Sequence, residues 1–310
     1  MSTAASDWSL WSTSARVVVT DANALPEART ITDRLLAKVE LASSRFRADS
    51  ELARVAPLLN DGTEVSPMLA ALVRASLRAA RLTDGDVDPT LGNALDAVGY
   101  DRDIRLIEDT DGLVRAIVSD RPGWKSVSLV GRRLRVPSHL SLDLGAIAKA
   151  YAADLVAASL AERLNCGALV SLGGDISTAG VEPRDGWNIF VEDLPGDPWT
   201  RVRMSSGSGL ATSSTQKRTW QRAGRRLHHI LDPRTGLPAT PTWRTVTVSA
   251  ESCATANALS TASIIRGERA VAWLQSKSVS ARLVRADGRV VTTGDWPQEF
   301  EAPKVMRSNV

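Results

Sequence analysis

Residues 142–175 read LDLGAIAKAYAADLVAASLAERLNCGALVSLGGD, and the fold turns on them. The Ala-rich run from about Ala146 to Leu164 predicts a helix, because Ala loses no side-chain entropy there. Asn165-Cys166-Gly167 stops it, since Asn and Gly tolerate the left-handed backbone of a helix C-terminus. Ala168 to Leu172 then predicts a buried strand running into Gly173-Gly174-Asp175.

Towards the N-terminus, Ala15 to Thr20 reads as a first strand, centred on Val17, Val18 and Val19. A helix is expected from about Pro26 to Ala42, where Ala28, Ile31, Leu35, Val39 and Ala42 recur at three- and four-residue steps. Another is expected from Pro67 to Leu82, with Ser66 as N-cap and Asp84-Gly85 at its end. Asp86 to Tyr100 reads as loop. Ser126 to Val130 and Leu134 to Val136 read as a hairpin about Gly131 and Arg132. Towards the C-terminus, Trp187 to Glu192, Arg226 to Leu231 and Arg244 to Ala250 are expected strands. Thr255 to Ile265 and Glu268 to Ser276 are expected helices, and a hairpin through Asp287-Gly288 closes the chain. Helices and strands are interspersed without strict βαβ alternation, so the expected class is α+β, with mixed sheets and packed helices. No repeat or low-complexity linker divides residues 1–310. They read as one compact unit, in one lobe or two, with an ordered core over about 8–295 and flexible termini.

A chain of 310 residues can bury a full core unaided. Its 43% hydrophobic and 24% charged residues exclude a disordered tail, a coiled coil and a collagen-like chain. Lys and Arg total 38 against 35 Asp and Glu, a net +3 too small for an extended cationic field. No basic stretch is interleaved with aromatics, so no nucleic acid is expected as partner. Cys166 and Cys253 are too few for a disulfide framework. No run of about 18 apolar residues exists, so no membrane span is expected. The segment MSTAASDWSLWSTSARVVVT has no charged n-region, no apolar h-region and no Cys for a lipid, so the expected compartment is cytoplasmic.

Five polar clusters sit where a packed core would not choose them. Gly85-Asp86-Val87-Asp88-Pro89-Thr90 makes a rigid loop that suits a ligand, although a surface turn reads the same. Asp143 precedes a helix, where N-capping is its plain role; Gly145 and Ala146 leave backbone bare at that helix N-terminus, where anions are held. Lys149 is a rare Lys inside an Ala-rich helix, and a snorkelling surface Lys competes with a functional one. Gly173-Gly174-Asp175 suits close backbone approach by a ligand, or a plain turn. His228 and His229 are adjacent, so in a strand at most one faces a given site, and a single general base is the sharper reading. Asn257 and Thr261 share a helix face and offer neutral oxygens, of the kind hard cations take beside a carboxylate. No Walker A, GxGxxG, HExxH, GxSxG or CxxC element is present.

In this order, the clusters resemble the ApbE family of FAD:protein FMN transferases. The likeness spans nearly the whole chain: WSLWSTSARVVVTD from Trp8, SRFRADSELARV, TDGDVDPTLG, LDLGAIAKAYAADL, ALVSLGGDI, LATSS, HHILDPRTGLPA and ANALSTASIIRG. The most specific elements are Asp-Leu-Gly-x-Ile-Ala-Lys and His-Ile-Leu-Asp-Pro-Arg-Thr-Gly. The resemblance implies Mg²⁺ as cofactor and FAD as substrate. FMN would be attached through a phosphoester to a Thr or Ser of a flavin-acceptor protein, and AMP would leave. By position it implies that Asp143 and Lys149 hold FAD, that Val87, Asp88 and Ile230 line the same pocket, and that Phe46 touches the flavin. The backbone carbonyl of Ala146, with Asn257 and Thr261, would hold the metal, and His229 would be the catalytic base.

The chain departs from the family pattern at several pocket positions. Asn257 stands where the family has Asp, which removes a formal charge from the implied metal shell. Trp11-Ser12-Thr13 replaces Met-Gly-Thr or Leu-Gly-Thr, and a Ser in place of Gly restricts the backbone beside the flavin. Ala56 and Ser171 replace Asn, and Ser214 replaces Gly. Three activities follow as alternatives, ranked with transfer first: FMN transfer, FAD binding without transfer, and hydrolysis of FAD to FMN and AMP.

Overall fold

Ala168, Val170 and Leu172 face one side of their strand and Leu169 the other, and all four are buried. Both faces of the sheet they occupy are therefore covered. The computed structural model describes residues 3–118 and 123–300. Eight strands make one sheet: β1 (Ala4–Leu10), β2 (Thr13–Val19), β3 (Ala168–Leu172), β4 (Asp175–Ala179), β5 (Gly209–Ser214), β6 (Trp243–Ala250), β7 (Ser280–Arg285) and β8 (Val290–Thr293). They lie side by side in that order, every neighbour antiparallel.

Seven α-helices stand among the described residues: α1 (Leu25–Ser43), α2 (Glu51–Val55), α3 (Pro67–Leu82), α4 (Gly92–Ala97), α5 (Gly145–Leu164), α6 (Cys253–Arg266) and α7 (Ala270–Ser276). Helices α5, α6 and α1 lie on one face of the sheet, and α3 packs behind α5 and α6. The Ala content of α5 explains its central place. Ala150, Ala152, Ala153 and Ala157 are all fully buried, so the helix packs on several sides at once. Leu160 and Leu172 are also fully buried, and such a side chain contributes about 1.5–3 kcal/mol relative to exposure. The opposite face carries Leu169, Ile176 and Leu210, which are covered by Trp187, Val202 and Met204 from a hairpin of Trp187–Val191 and Thr200–Met204. A third cluster joins Ala94, Leu95 and Tyr100 to Trp220 and Leu227 of a second hairpin. The architecture is α+β, as expected.

Several expected elements change. Ala15–Thr20 corresponds to the second strand, because β1 precedes it; Ala5 on the outer face and Ser6 on the inner face of that edge strand break its apolar alternation. Asp86–Tyr100 is not all loop. It contains α4, which Pro89, Gly92 and Gly99 disguise and which the third cluster stabilises. Arg226–Leu231 is not one strand. Pairing covers Arg225–His228 and then Leu231–Asp232, so the chain leaves strand geometry at His229. Regular structure begins at Ala4, and Phe300 pairs with Trp199. Of the termini expected to be flexible, residues 1–2 and 301–310 lie outside the described residues.

Candidate active site

A cavity of about 320 Å³ opens between the N-terminal end of α5, the side of α6 that carries Asn257, Thr261 and Ile265, the start of β4 and the third cluster. It is lined by Phe46, Val87, Asp88, Asp143, Ala146, Lys149, His229, Ile230, Asn257 and Thr261. These ten positions, the ones that the resemblance implies as site residues, therefore reach one space. A second cavity of about 380 Å³ adjoins it and shares Phe46, Asp143 and Lys149.

The loop ahead of α5 is fixed by Asp143. Its backbone N–H donates to the Pro89 carbonyl at 2.8 Å, which ties the Asp86–Pro89 loop to the start of the helix. Its Oδ1 accepts the Gly145 N–H at 2.7 Å, although the N-cap position itself falls to Leu144. Its Oδ2 meets Arg45 Nε at 2.6 Å. Arg45 also binds Asp96 and the Tyr100 carbonyl, so one guanidinium joins the end of α1, α4 and the α5 entrance. Asp88 turns inward on its own loop: Oδ1 accepts from Thr90 N and Oγ1, at 2.8 and 2.6 Å. Its Oδ2 accepts from Trp124 N at 3.3 Å, so the carboxylate shapes the wall.

Gly173 and Gly174 both have positive φ and close the β3–β4 turn, so the chain reverses within two residues. A Cβ on Gly173 would lie 2.6 Å from Thr13 Oγ1, so the close approach there is to Thr13. The turn delivers Asp175, which is only 2% exposed. Lys149 Nζ stands 3.3 Å from Asp175 Oδ2, and Asn257 Nδ2 donates to Asp175 Oδ1 at 3.2 Å. Asp175 Oδ2 and Asn257 Oδ1 are enclosed yet have no hydrogen-bond partner. One turn beyond Asn257, the Thr261 hydroxyl lies 2.8 Å from Ser213 Oγ.

His229 and His228 separate cleanly. His228 is buried and its Nε2 donates to the Ala239 carbonyl at 2.9 Å, a packing role. His229 lines the cavity, and its enclosed Nδ1 has no partner. Burial, then the positive charges of Arg218 and Lys149, hold the His229 imidazole well below its ordinary pKa, so it is neutral at pH 7.

Trp11 and Ser12 make the β1–β2 turn at φ 50° and 60°, the left-handed region that favours Gly. The chain keeps the turn by anchoring Ser12 Oγ on the Asp103 carboxylate, at 2.8 and 2.9 Å to its two oxygens. Arg105 foremost, against a smaller effect of burial, lowers the Asp103 carboxyl to about 2.

Sequence reasoning overlooked Asp175, Arg45 and Arg218 as site residues. Gly-Gly-Asp marked a ligand-ready turn, but the partners of Asp175 come from distant helices. Nothing local marked Arg45 or Arg218. Among the described residues no group of three or more His, Cys, Asp or Glu could hold a metal alone, and no helix is long and apolar enough to cross a membrane.

Known proteins share this sequence pattern and this fold. A family model described as the ApbE family matches residues 11–301. The FAD:protein FMN transferase of Treponema pallidum is 31% identical over 285 residues, covering 83% of this chain and 76% of that protein. The one from Vibrio cholerae is 29% identical over 283 residues, covering 86% and 80%. The ApbE protein of Thermotoga maritima has a similar solved structure, with TM-score 0.78 at 28% identity over 94% of this chain and 97% of that one. The flavinyl transferase ApbE of Pseudomonas stutzeri, in its apo form, gives 0.78 at 26% identity over 94% and 95%. These relatives are transferases, and likeness to them over most of the chain makes this protein an enzyme. The chain belongs to the ApbE family.

Proposed function

We propose that this chain transfers FMN from FAD to a Thr or Ser hydroxyl of a flavin-acceptor protein and releases AMP. The observation that carries the reading is the meeting, in one cavity wall, of Lys149, a neutral His229 and two enclosed oxygens, on Asp175 and Asn257, that accept no hydrogen bond. Two adjoining chambers suit an elongated dinucleotide better than a single nucleotide.

The oxygens fit a hard cation. Asn257 Oδ1 accepts no hydrogen bond, Asp175 Oδ2 has only the Lys149 ammonium at 3.3 Å beside it, and the donor set has one carboxylate with neutral oxygens around it. Mg²⁺ favours such a set, because it keeps waters and takes the rest of its shell from substrate phosphates. Asn257, Thr261, the Ala146 carbonyl and Asp175 would hold it. When bound, Mg²⁺ supplies charge neutralisation at the diphosphate.

The chain's own residues do the remainder. Lys149, on the cavity wall beside the start of α5, draws the diphosphate into the cavity. The neutral His229 imidazole takes the proton as the acceptor oxygen bonds to the FMN phosphorus. The bond from that phosphorus to the bridging oxygen breaks, and AMP departs with the oxygen. Phe46 offers an aromatic face at the cavity wall for the flavin.

Incubation with FAD, Mg²⁺ and a flavin-acceptor protein should leave the acceptor fluorescent after denaturing electrophoresis. An acceptor that stays dark at millimolar Mg²⁺ contradicts the reading. Asn257 favours a second one, FAD binding without transfer: its amide already satisfies half of Asp175, so the empty site needs no cation to hold together. That reading requires bound FAD with no AMP.

A further inference from the structure

Asp154 lies on α5, five residues beyond Lys149, and its carboxylate is shared among three partners. Oδ1 accepts the Cys253 N–H at 2.9 Å and the Ser177 hydroxyl at 2.7 Å, and Oδ2 accepts the Ala254 N–H at 2.9 Å. Cys253 and Ala254 are the first two residues of α6. Ser177 stands two residues after Asp175 in β4, on the same face of the strand. One side chain therefore joins the elements that carry Lys149 and Ala146, Asn257 and Thr261, and Asp175.

The first turn of α6 has no slack elsewhere. Ser252 answers the next two donors, with Oγ on Thr255 N–H at 3.1 Å and its carbonyl on Ala256 N–H at 3.0 Å. Beneath the turn, a Cβ on Gly209 would fall 2.0 Å from Cys253 N, so β5 and the helix end touch backbone to backbone. Asn257 follows one turn after Cys253, and Thr261 one turn later. A small displacement of the helix end is therefore carried directly to both oxygens.

We propose that Asp154 is a positioning residue for the cation site: it sets how far Asn257 and Thr261 on α6 stand from Asp175 on β4 and from the start of α5. This rests on the reading of those oxygens as a cation site. Mg²⁺ demands near-ideal octahedral geometry, so an error of a few tenths of an ångström in ligand spacing lowers affinity. Asp154 touches no substrate and acts through the elements it clamps.

Mn²⁺ binding in the presence of FAD, followed by electron paramagnetic resonance, tests the proposal. Asp154→Asn keeps the size of the side chain but turns an NH₂ towards a peptide N–H. It should weaken Mn²⁺ binding by at least about tenfold, the scale of lost support behind metal ligands, while metal-free FAD affinity stays within about twofold. Ser177→Ala removes only one leg and should weaken Mn²⁺ by about threefold. Ser66→Ala, which deletes the N-cap of α3 outside the cavity, should lower thermal stability and leave Mn²⁺ affinity unchanged. Wild-type Mn²⁺ affinity in both Asp154→Asn and Ser177→Ala overturns the proposal. So does equal weakening in Ser66→Ala at equal loss of stability. If Asp154→Asn does not fold, Ser177→Ala decides alone. If the wild type binds no Mn²⁺, the cation reading itself has failed and this proposal falls with it; a wild type that binds beside unaffected variants overturns only the role of Asp154.

Discussion

Asn257 reaches Asp175 across 82 positions of sequence, donating Nδ2–H to Oδ1 at 3.2 Å, while the other carboxylate oxygen of Asp175 and the amide oxygen of Asn257 are enclosed and accept no hydrogen bond. The pair is stable without a cation and still presents two oxygens to one. With Lys149 at 3.3 Å, the formal charge of this corner sums to zero.

Asn257→Asp replaces the donor with a second carboxylate. Two such charges about 3–4 Å apart repel by about 4 kcal/mol at an effective dielectric of 20. In metal-free buffer the melting temperature should fall by several degrees, and millimolar Mg²⁺ should restore it. Scanning calorimetry with and without Mg²⁺ measures both. A melting temperature indifferent to Mg²⁺ would remove position 257 from the cation site.

Lys149→Met deletes the cation beside Asp175 and the diphosphate. Hydrogen bonds to charged groups contribute about 1.5–3 kcal/mol, so FAD affinity should fall by roughly 10- to 100-fold. Flavin fluorescence titration reads this directly. Retained affinity would mean that Lys149 serves only as the counterion of Asp175.

His229 and His228 are both held below the ordinary imidazole pKa by burial foremost. As pH falls through about 6.5, the unfolded chain takes up protons at both rings while the folded protein does not. Their contribution to stability is thus complete above pH 6.5 and lost progressively below it, down to the folded pKa values. Denaturant midpoints measured from pH 7.5 to 5 should decline below 6.5. The transfer rate should show no acid limb near 6.5, because His229 remains neutral there. His229→Ala should cut transfer by about 10²–10⁴-fold and leave FAD binding intact. An acid limb centred on 6.5 would assign the base elsewhere.

Arg45→Met leaves the Asp143 carboxylate, 13% exposed, without its partner. Breaking a buried pair from one side costs about 3–5 kcal/mol, and partial exposure places this one near the lower end. Urea unfolding should show the loss, and adding Asp143→Asn should recover part of it. If the double variant is no more stable than Arg45→Met, the ion pair is not what Arg45 contributes.

The core was legible wherever one period ruled a segment. The three- and four-residue steps of Ala28, Ile31, Val39 and Ala42 became the buried face of α1 because burial on one face leaves that imprint, while α5 was legible from its Ala content. β1 was illegible because an edge strand need not alternate cleanly, and α4 because Gly and Pro surround it. The break after His228 was hidden as well, since Ile230 and Leu231 continue the apolar pattern while ordering a turn. In the site, ten positions were foreseen as pocket residues, and all of them line the cavity. Arg45 and Asp175 were not, because their meaning lies in partners far along the chain: Asp143 for one, Lys149 and Asn257 for the other.

The most direct measurement counts AMP and protein-bound flavin together over time, with FAD, Mg²⁺ and acceptor present. Transfer requires one AMP per flavin fixed to a Thr or Ser, and neither product when the acceptor or the Mg²⁺ is withheld. AMP formed without acceptor would make the chain a hydrolase, and FAD held intact with no AMP would make it a binding protein; either result contradicts transfer.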